Sequence, residues 1–165
     1  METPLRKSIY ILIILCSLII ANYTEAEDKN PFLAEVQEFE VIIVNLPQNL
    51  IDAGLSTNYF KDKAEYFCRK NNLKVVKDSS NTLFVHISGL PLVVGERIFG
   101  YSYNIKMFFN QFAKTLETGE IGYVSSWVWP GHFATIEKHL LQNQIKQDLE
   151  DGIEDFSNAI LLSHQ

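Results

Sequence analysis

The stretch Phe99–Phe112, FGYSYNIKMFFNQF, decides the fold. Its Tyr101, Tyr103, Ile105, Met107 and Phe109 alternate with Ser102, Asn104, Lys106 and Asn110, and period two over that length means a long half-buried strand. Downstream, Glu117-Thr118-Gly119-Glu120 turns the chain, and Ile121–Trp129 (IGYVSSWVW) runs back until Pro130-Gly131 ends it. Upstream, Leu73–Val76 and Thr82–Ser88 (TLFVHIS) flank the turn Asp78-Ser79-Ser80-Asn81 and read as one hairpin, interrupted afterwards by Gly89-Leu90-Pro91. Earlier still, Phe39–Leu46 (FEVIIVNL) is rich in β-branched residues and stops at Pro47, which cannot donate to a ladder; it reads as a buried strand.

Two helices complete the pattern. Ser56 is placed to cap a helix over Thr57–Lys70, with Leu55 and Phe60 spaced as a hydrophobic staple. Phe60, Ala64, Phe67 and Cys68 share one face, Lys61, Asp62, Glu65 and Arg69 the other, and Asn71-Asn72 tolerates the left-handed backbone that stops a helix. A longer helix follows from Ile136, Leu140, Leu141, Ile145, Leu149, Ile153, Phe156 and Ile160, which recur every three or four residues. The order β-α-β-β-β-β-α predicts an α+β two-layer sandwich over residues 39–165, a largely antiparallel sheet of about five strands with two helices on one face. Residues 27–38 mix charges with Pro31 and read as a linker.

The chain has 165 residues, 47% hydrophobic and 21% charged, which is globular composition with room for one core. Its net charge is −6, and no basic stripe interrupts it, so nucleic acid is excluded as an expected partner.

The first 26 residues have the layout of a signal peptide: Arg6 and Lys7, then an apolar run of 13 residues from Ile9 to Ala21, then small residues at Thr24 and Ala26. A bilayer-spanning helix needs about 20 residues, so cleavage after Ala26 is expected rather than anchoring. Two alternatives stand beside it. Cys16 as a lipid-attachment cysteine would call for a small residue where Leu15 stands, and an uncleaved anchor would call for tilted flanks or a thinned bilayer. All three place the domain outside the cytoplasm, periplasmic or secreted, with the membrane involved only through an uncleaved leader. Removing residues 1–26 takes away two cations, Arg6 and Lys7, and two anions, Glu2 and Glu25, so the mature charge stays at −6. It also leaves Cys68 alone, with no partner for an internal disulfide.

The stretches Val41–Leu46, Gly54–Thr57, Tyr101–Gln111, Ser126–Trp127 and Ile145–Leu161, the last ending in DFSNAIL, resemble an uncharacterised family of small exported bacterial proteins. The resemblance implies the α+β fold and an extracytoplasmic place, and it carries no known activity or functional residue. The layout is also similar in topology to small periplasmic assembly modules, such as the N-terminal domain of the Tol-system propeller protein.

The reactive residues do not converge in sequence. His86, His132, His139 and His164 have no metal-ligand spacing with a Cys, Asp or Glu, so no metal and no cofactor is expected. Cys68 beside Phe67 reads as a small buried hydrophobe rather than a nucleophile. Glu150, Asp151, Glu154 and Asp155 read as a solvated helix face, and Gly152 between them points to close packing. No Gly-x-Ser-x-Gly turn or phosphate-cradling loop occurs. Trp127 and Trp129 share one face of their strand beside Tyr123. Facing the helices they are core; on the open face, with Phe84 and Phe108, they form an aromatic docking strip, and a strand edge offers a second route to a partner. The expected function is therefore a non-catalytic binding or envelope-assembly module acting on a protein partner or a second copy. The alternative is a small secreted hydrolase whose site joins His86 or His132 to a distant carboxylate.

Overall fold

The computed structural model describes residues 30–114 and 119–164. The leader, Cys16, Glu27–Lys29 and the Glu117-Thr118 half of the last turn lie outside the described residues. The elements are β1 (Glu40–Ile43), α1 (Gln48–Asp52), α2 (Thr57–Lys70), β2 (Thr82–Val94), β3 (Arg97–Lys114), β4 (Ile121–Glu137) and α3 (Leu141–Ser163), the last entered through a 3-10 turn at Lys138–Leu140.

The fold is an α+β two-layer sandwich on a four-stranded sheet in the order β1-β2-β3-β4, rather than one of about five strands. The missing strand is Leu73–Val76. These residues do not pair with β2 as a hairpin; Val75 makes a single parallel bridge with Phe39, and β1 itself lies parallel to β2, Glu40 opposite Thr82. Two helices occupy the β1–β2 connection, the usual way to return a chain for parallel pairing. The hairpin pattern was misleading because Asp78, in a left-handed conformation at φ 58°, serves a turn that delivers the chain into β2 from the far side of β1.

β2 and β4 also run further than their prolines suggested. Pro91 pairs with Tyr101 inside β2, but the β1 ladder has ended at Val85, so its missing N–H removes no bond to another strand. Pro130 lies on the free edge of β4, beside a bulge where Gly131 takes φ 89°, and the strand resumes to Glu137. Ile136 therefore belongs to β4, opposite Tyr101, and the last helix starts at Leu141.

Thr57–Lys70 is helical as its sequence demands. Ser56 accepts from the Tyr59 amide at 3.4 Å, Leu55 and Phe60 are both buried, and Asn72 beyond the end takes φ 62°. The buried face of the sheet carries Val41 and Ile43, Leu83, Val85 and Ile87, and Tyr101 to Phe109 at odd positions. Against it pack Phe60, Ala64, Phe67 and Cys68 of α2 and Leu141, Ile145, Leu149, Ile153, Phe156 and Ile160 of α3. Phe156 is the hub, with ring centroids 5.4 Å from Phe39, 4.8 Å from Phe109 and 4.9 Å from Trp127. Leu33 and Val36, ahead of β1, are buried in the same core. Gly152 explains itself: a Cβ there would stand 2.6 Å from Met107 Cε and 3.0 Å from Trp129 Cε3, so α3 and the sheet touch through it.

Candidate functional site

The face of the sheet turned away from the helices carries a continuous run of apolar groups. Register places Ile42 opposite Phe84, Phe84 opposite Phe108, and Phe108 opposite Val128. These four form one row across all four strands, the first three half-buried by their neighbours and Val128 51% exposed. Strands lie about 4.8 Å apart, so the row is about 14 Å long. On one side of it Thr82, Asn110 and Ser125 make a polar row in which Ser125 Oγ donates to Asn110 Oδ1 at 2.7 Å. On the other side His86 stands opposite Lys106, and beyond them come Ser88, Asn104 and Phe133. A shallow depression of about 440 Å³ follows, bordered by Ser88, Leu90, Ser102, Asn104 and Phe133. Phe112 and Tyr123 stack at 4.0 Å between ring centroids at the opposite end.

The four aromatic residues singled out from sequence are thus divided between two faces. Phe84 and Phe108 are neighbours on the open face. Trp127 and Trp129 lie opposite Phe109 and Met107, hence on the helix side, where they pack partly buried on the core. Trp129 Nε1 donates to Asp155 Oδ2 at 2.9 Å and Trp127 packs on Phe156, so both hold α3 down. Period two settles that two residues share a face but is silent on which face the helices cover.

A buried polar cluster went unforeseen. Asp148 of α3 is almost wholly buried; its Oδ2 accepts from the Tyr103 hydroxyl at 2.5 Å and its Oδ1 from Gln144 Nε2 at 3.2 Å, and His132 Nδ1 lies 3.0 Å from Oδ1. The hint in sequence is helical spacing, since Asp148 follows Leu141 by seven residues and Ile145 by three and precedes Gly152 by four, on the buried face. Desolvation first, then the hydrogen bond and the charge of Asp148, push the Tyr103 hydroxyl well above its ordinary value, so it remains a donor. Replacing Asp148 by Ala removes both acceptors, leaves the Tyr103 hydroxyl without its partner and is expected to cost about 2 kcal/mol, read as a lower urea midpoint. Adding Tyr103→Phe to that variant should restore part of the loss, because the orphaned hydroxyl is gone.

Cys68 is buried, and desolvation pushes its thiol up to about 12. Iodoacetamide is expected to leave the Cys68 peptide unmodified in the folded chain and to modify it fully after denaturation. Between an ordinary thiol value and about 12 only the unfolded chain ionises, so this group's contribution to stability falls as pH rises through that window. The acidic residues of α3 are partly engaged, Glu150 by Lys70 at 2.8 Å and Asp155 by Trp129. Burial first, then the neighbouring carboxylates Asp148, Glu150, Glu154 and Asp155, raise Asp151 above the usual carboxylate range. Among the described residues no group of three or more His, Cys, Asp or Glu is placed to hold a metal ion, and no helix is long and apolar enough to cross a membrane. His86, His139 and His164 lie apart from His132, on the open face, at the 3-10 turn and at the end of α3.

No protein-family model and no curated protein matches the chain. Among solved structures it is similar to a minor lipoprotein from Acinetobacter baumannii, with 7% identity and a TM-score of 0.34 over 76% of this chain and 92% of that one. It is also similar to the rare lipoprotein B from Shewanella oneidensis, with 12% identity and a TM-score of 0.29 over 76% of this chain and 92% of that one. Superpositions this loose carry no argument about function, which rests on the chain's own residues.

Proposed function

We propose that the protein is a non-catalytic binding or assembly module of a bacterial envelope, periplasmic or secreted, which engages its partner through the open face of the sheet. The observation that carries this is the row Ile42–Phe84–Phe108–Val128, apolar across every strand on the face away from the helices, its first three members partly exposed and Val128 51% exposed. Contiguous exposed apolar surface is unfavourable in water and marks interaction sites. The location rests on Arg6, Lys7, the run Ile9–Ala21 and the small residues up to Ala26.

The face is a better docking surface than the strand edge. β4 interrupts its own edge with Pro130 and with register shifts at Ile105/Met107 and Phe109/Asn110, which are devices that blunt strand addition. A photo-crosslinking residue at position 108 or 128, in cells exporting the chain, should give one recurrent crosslinked band. The same residue at Asn158, exposed on α3, should give none. Equal patterns from both faces would sink the assignment.

One observation favours the enzymatic alternative: His132 is oriented by a buried carboxylate, Asp148, in the manner of a general base. The two readings part at His132→Ala. A hydrolase would lose turnover of a generic ester, whereas a binding module would keep the crosslink from position 108.

A further inference from the structure

We propose that the end of the sheet where β3 turns into β4, together with residues 30–38 ahead of β1, is a membrane contact that seats in the interface of an uncharged bilayer surface. The contact is separate from the docking row of the open face and does not depend on it. Three observations select this end and this occupant.

The first is that this end is apolar on both faces. Phe112 and Tyr123 stack on the open face, and Ile121 follows them there, opposite Lys114. On the other face stand Val124, opposite Gln111, and Phe32, which lines one cleft with Gln111 and Phe112. All five apolar side chains are at least 40% exposed. A flat partner covers one face of a sheet, whereas an interface that closes round a protruding end covers both, and tyrosine is enriched at that depth. The second observation is where the chain enters the fold. Asn30 donates from Nδ2 to the Ser126 carbonyl, and Leu33 and Val36 behind it are buried, so the entry point is fixed two residues from Val124. Residues 22–29 alone separate Asn30 from the apolar run Ile9–Ala21, and they reach about 30 Å at most. While that run is attached and lodged in a membrane, this end is held next to the bilayer. The tip of β2 and β3, where Leu90, Val93 and Val94 are exposed as well, lies about 50 Å away along β3. The third observation is charge. This end carries Lys114 together with Glu35 and Glu120, in a chain of net charge −6. It has no excess of cations to draw it to anionic lipid, so the contact is apolar and insensitive to salt.

Flotation with phosphatidylcholine vesicles tests this on the protein as recovered from exporting cells. The parent should float to the same extent at roughly 0.1 M and 0.5 M salt. Ile121→Asp, and separately Phe32→Asp, should lower the floated fraction about five-fold or more, because each puts a charge where apolar area enters the interface. Leu90→Asp, at the far tip, should leave it unchanged. All three positions are exposed, so the variants should keep the parent's thermal melt. A photo-crosslinking residue at position 123 should capture alkyne-tagged phosphatidylcholine in the same vesicles, and one at position 94 should not. The proposal is overturned by a parent that does not float, by Ile121→Asp and Phe32→Asp floating as the parent does, or by equal lipid capture at positions 123 and 94. It is also overturned by flotation that needs phosphatidylglycerol and is lost at high salt. A protein mass that doubles without lipid and returns to a monomer in Ile121→Asp would assign this end to a second copy instead.

Discussion

Gly131→Ala is expected to be the most damaging single-methyl change in the molecule, lowering stability by about 4 kcal/mol or more and the melting midpoint by roughly 12 °C. Gly131 holds φ 89° at the β4 bulge, and a Cβ there would stand 1.8 Å from the Ile105 carbonyl oxygen and 2.9 Å from its carbon. Backbone is what it strikes, so no side-chain rotation relieves it. Either the bulge flattens, which shifts Phe133, Ala134 and Ile136 out of register with β3, or the two strands separate there. Thermal circular dichroism measures this, with Gly122→Ala in the same strand as control, where a Cβ meets nothing within 4 Å. A Gly131→Ala melt within about 2 °C of the parent would show that the bulge relaxes freely.

Phe156→Ala should follow closely, at about 4 kcal/mol from lost transfer energy and the cavity left behind. Its ring is fully buried among Phe39, Phe109 and Trp127, which come from three different segments and cannot close together around a methyl group. The guanidinium unfolding midpoint reads the loss. Phe112→Ala, at an exposed ring stacked on Tyr123, should cost under about 1 kcal/mol.

What could be read from the sequence was what local chemistry dictates. The α2 boundaries follow from Ser56, the Leu55–Phe60 staple and Asn72, all within a few residues of one another. The β3 pattern follows from its own alternation. What resisted was decided by neighbours distant in the chain. Pro91 and Pro130 look like strand ends until the facing ladder is known to be absent at one and the edge free at the other. Leu73–Val76 has the composition of a strand but finds only Phe39 to pair with, because β1 already fills the position beside β2. Ile136 fits the helical repeat and the strand repeat equally, and its opposite number Tyr101 decides between them. The site divides the same way. The pairing of Trp127 with Trp129, and of Phe84 with Phe108, is visible in spacing and composition. Which pair faces the helices depends on where α3 lies, and Asp148 could be picked out only once Tyr103 and His132 were known to meet it.

The parallel seam between β1 and β2 has a consequence for how the polypeptide assembles as it is made. β1 leaves the ribosome first, yet the strand it pairs with, at Thr82–Val85, follows about 40 positions later, whereas β3 and β4 each pair with the strand synthesised a few residues before. The first strand to emerge therefore waits longest for its partner. Until then Val41 and Ile43 remain available to whatever carries the nascent chain, and a truncation ahead of Thr82 should yield a polypeptide that stays unfolded and protease-sensitive.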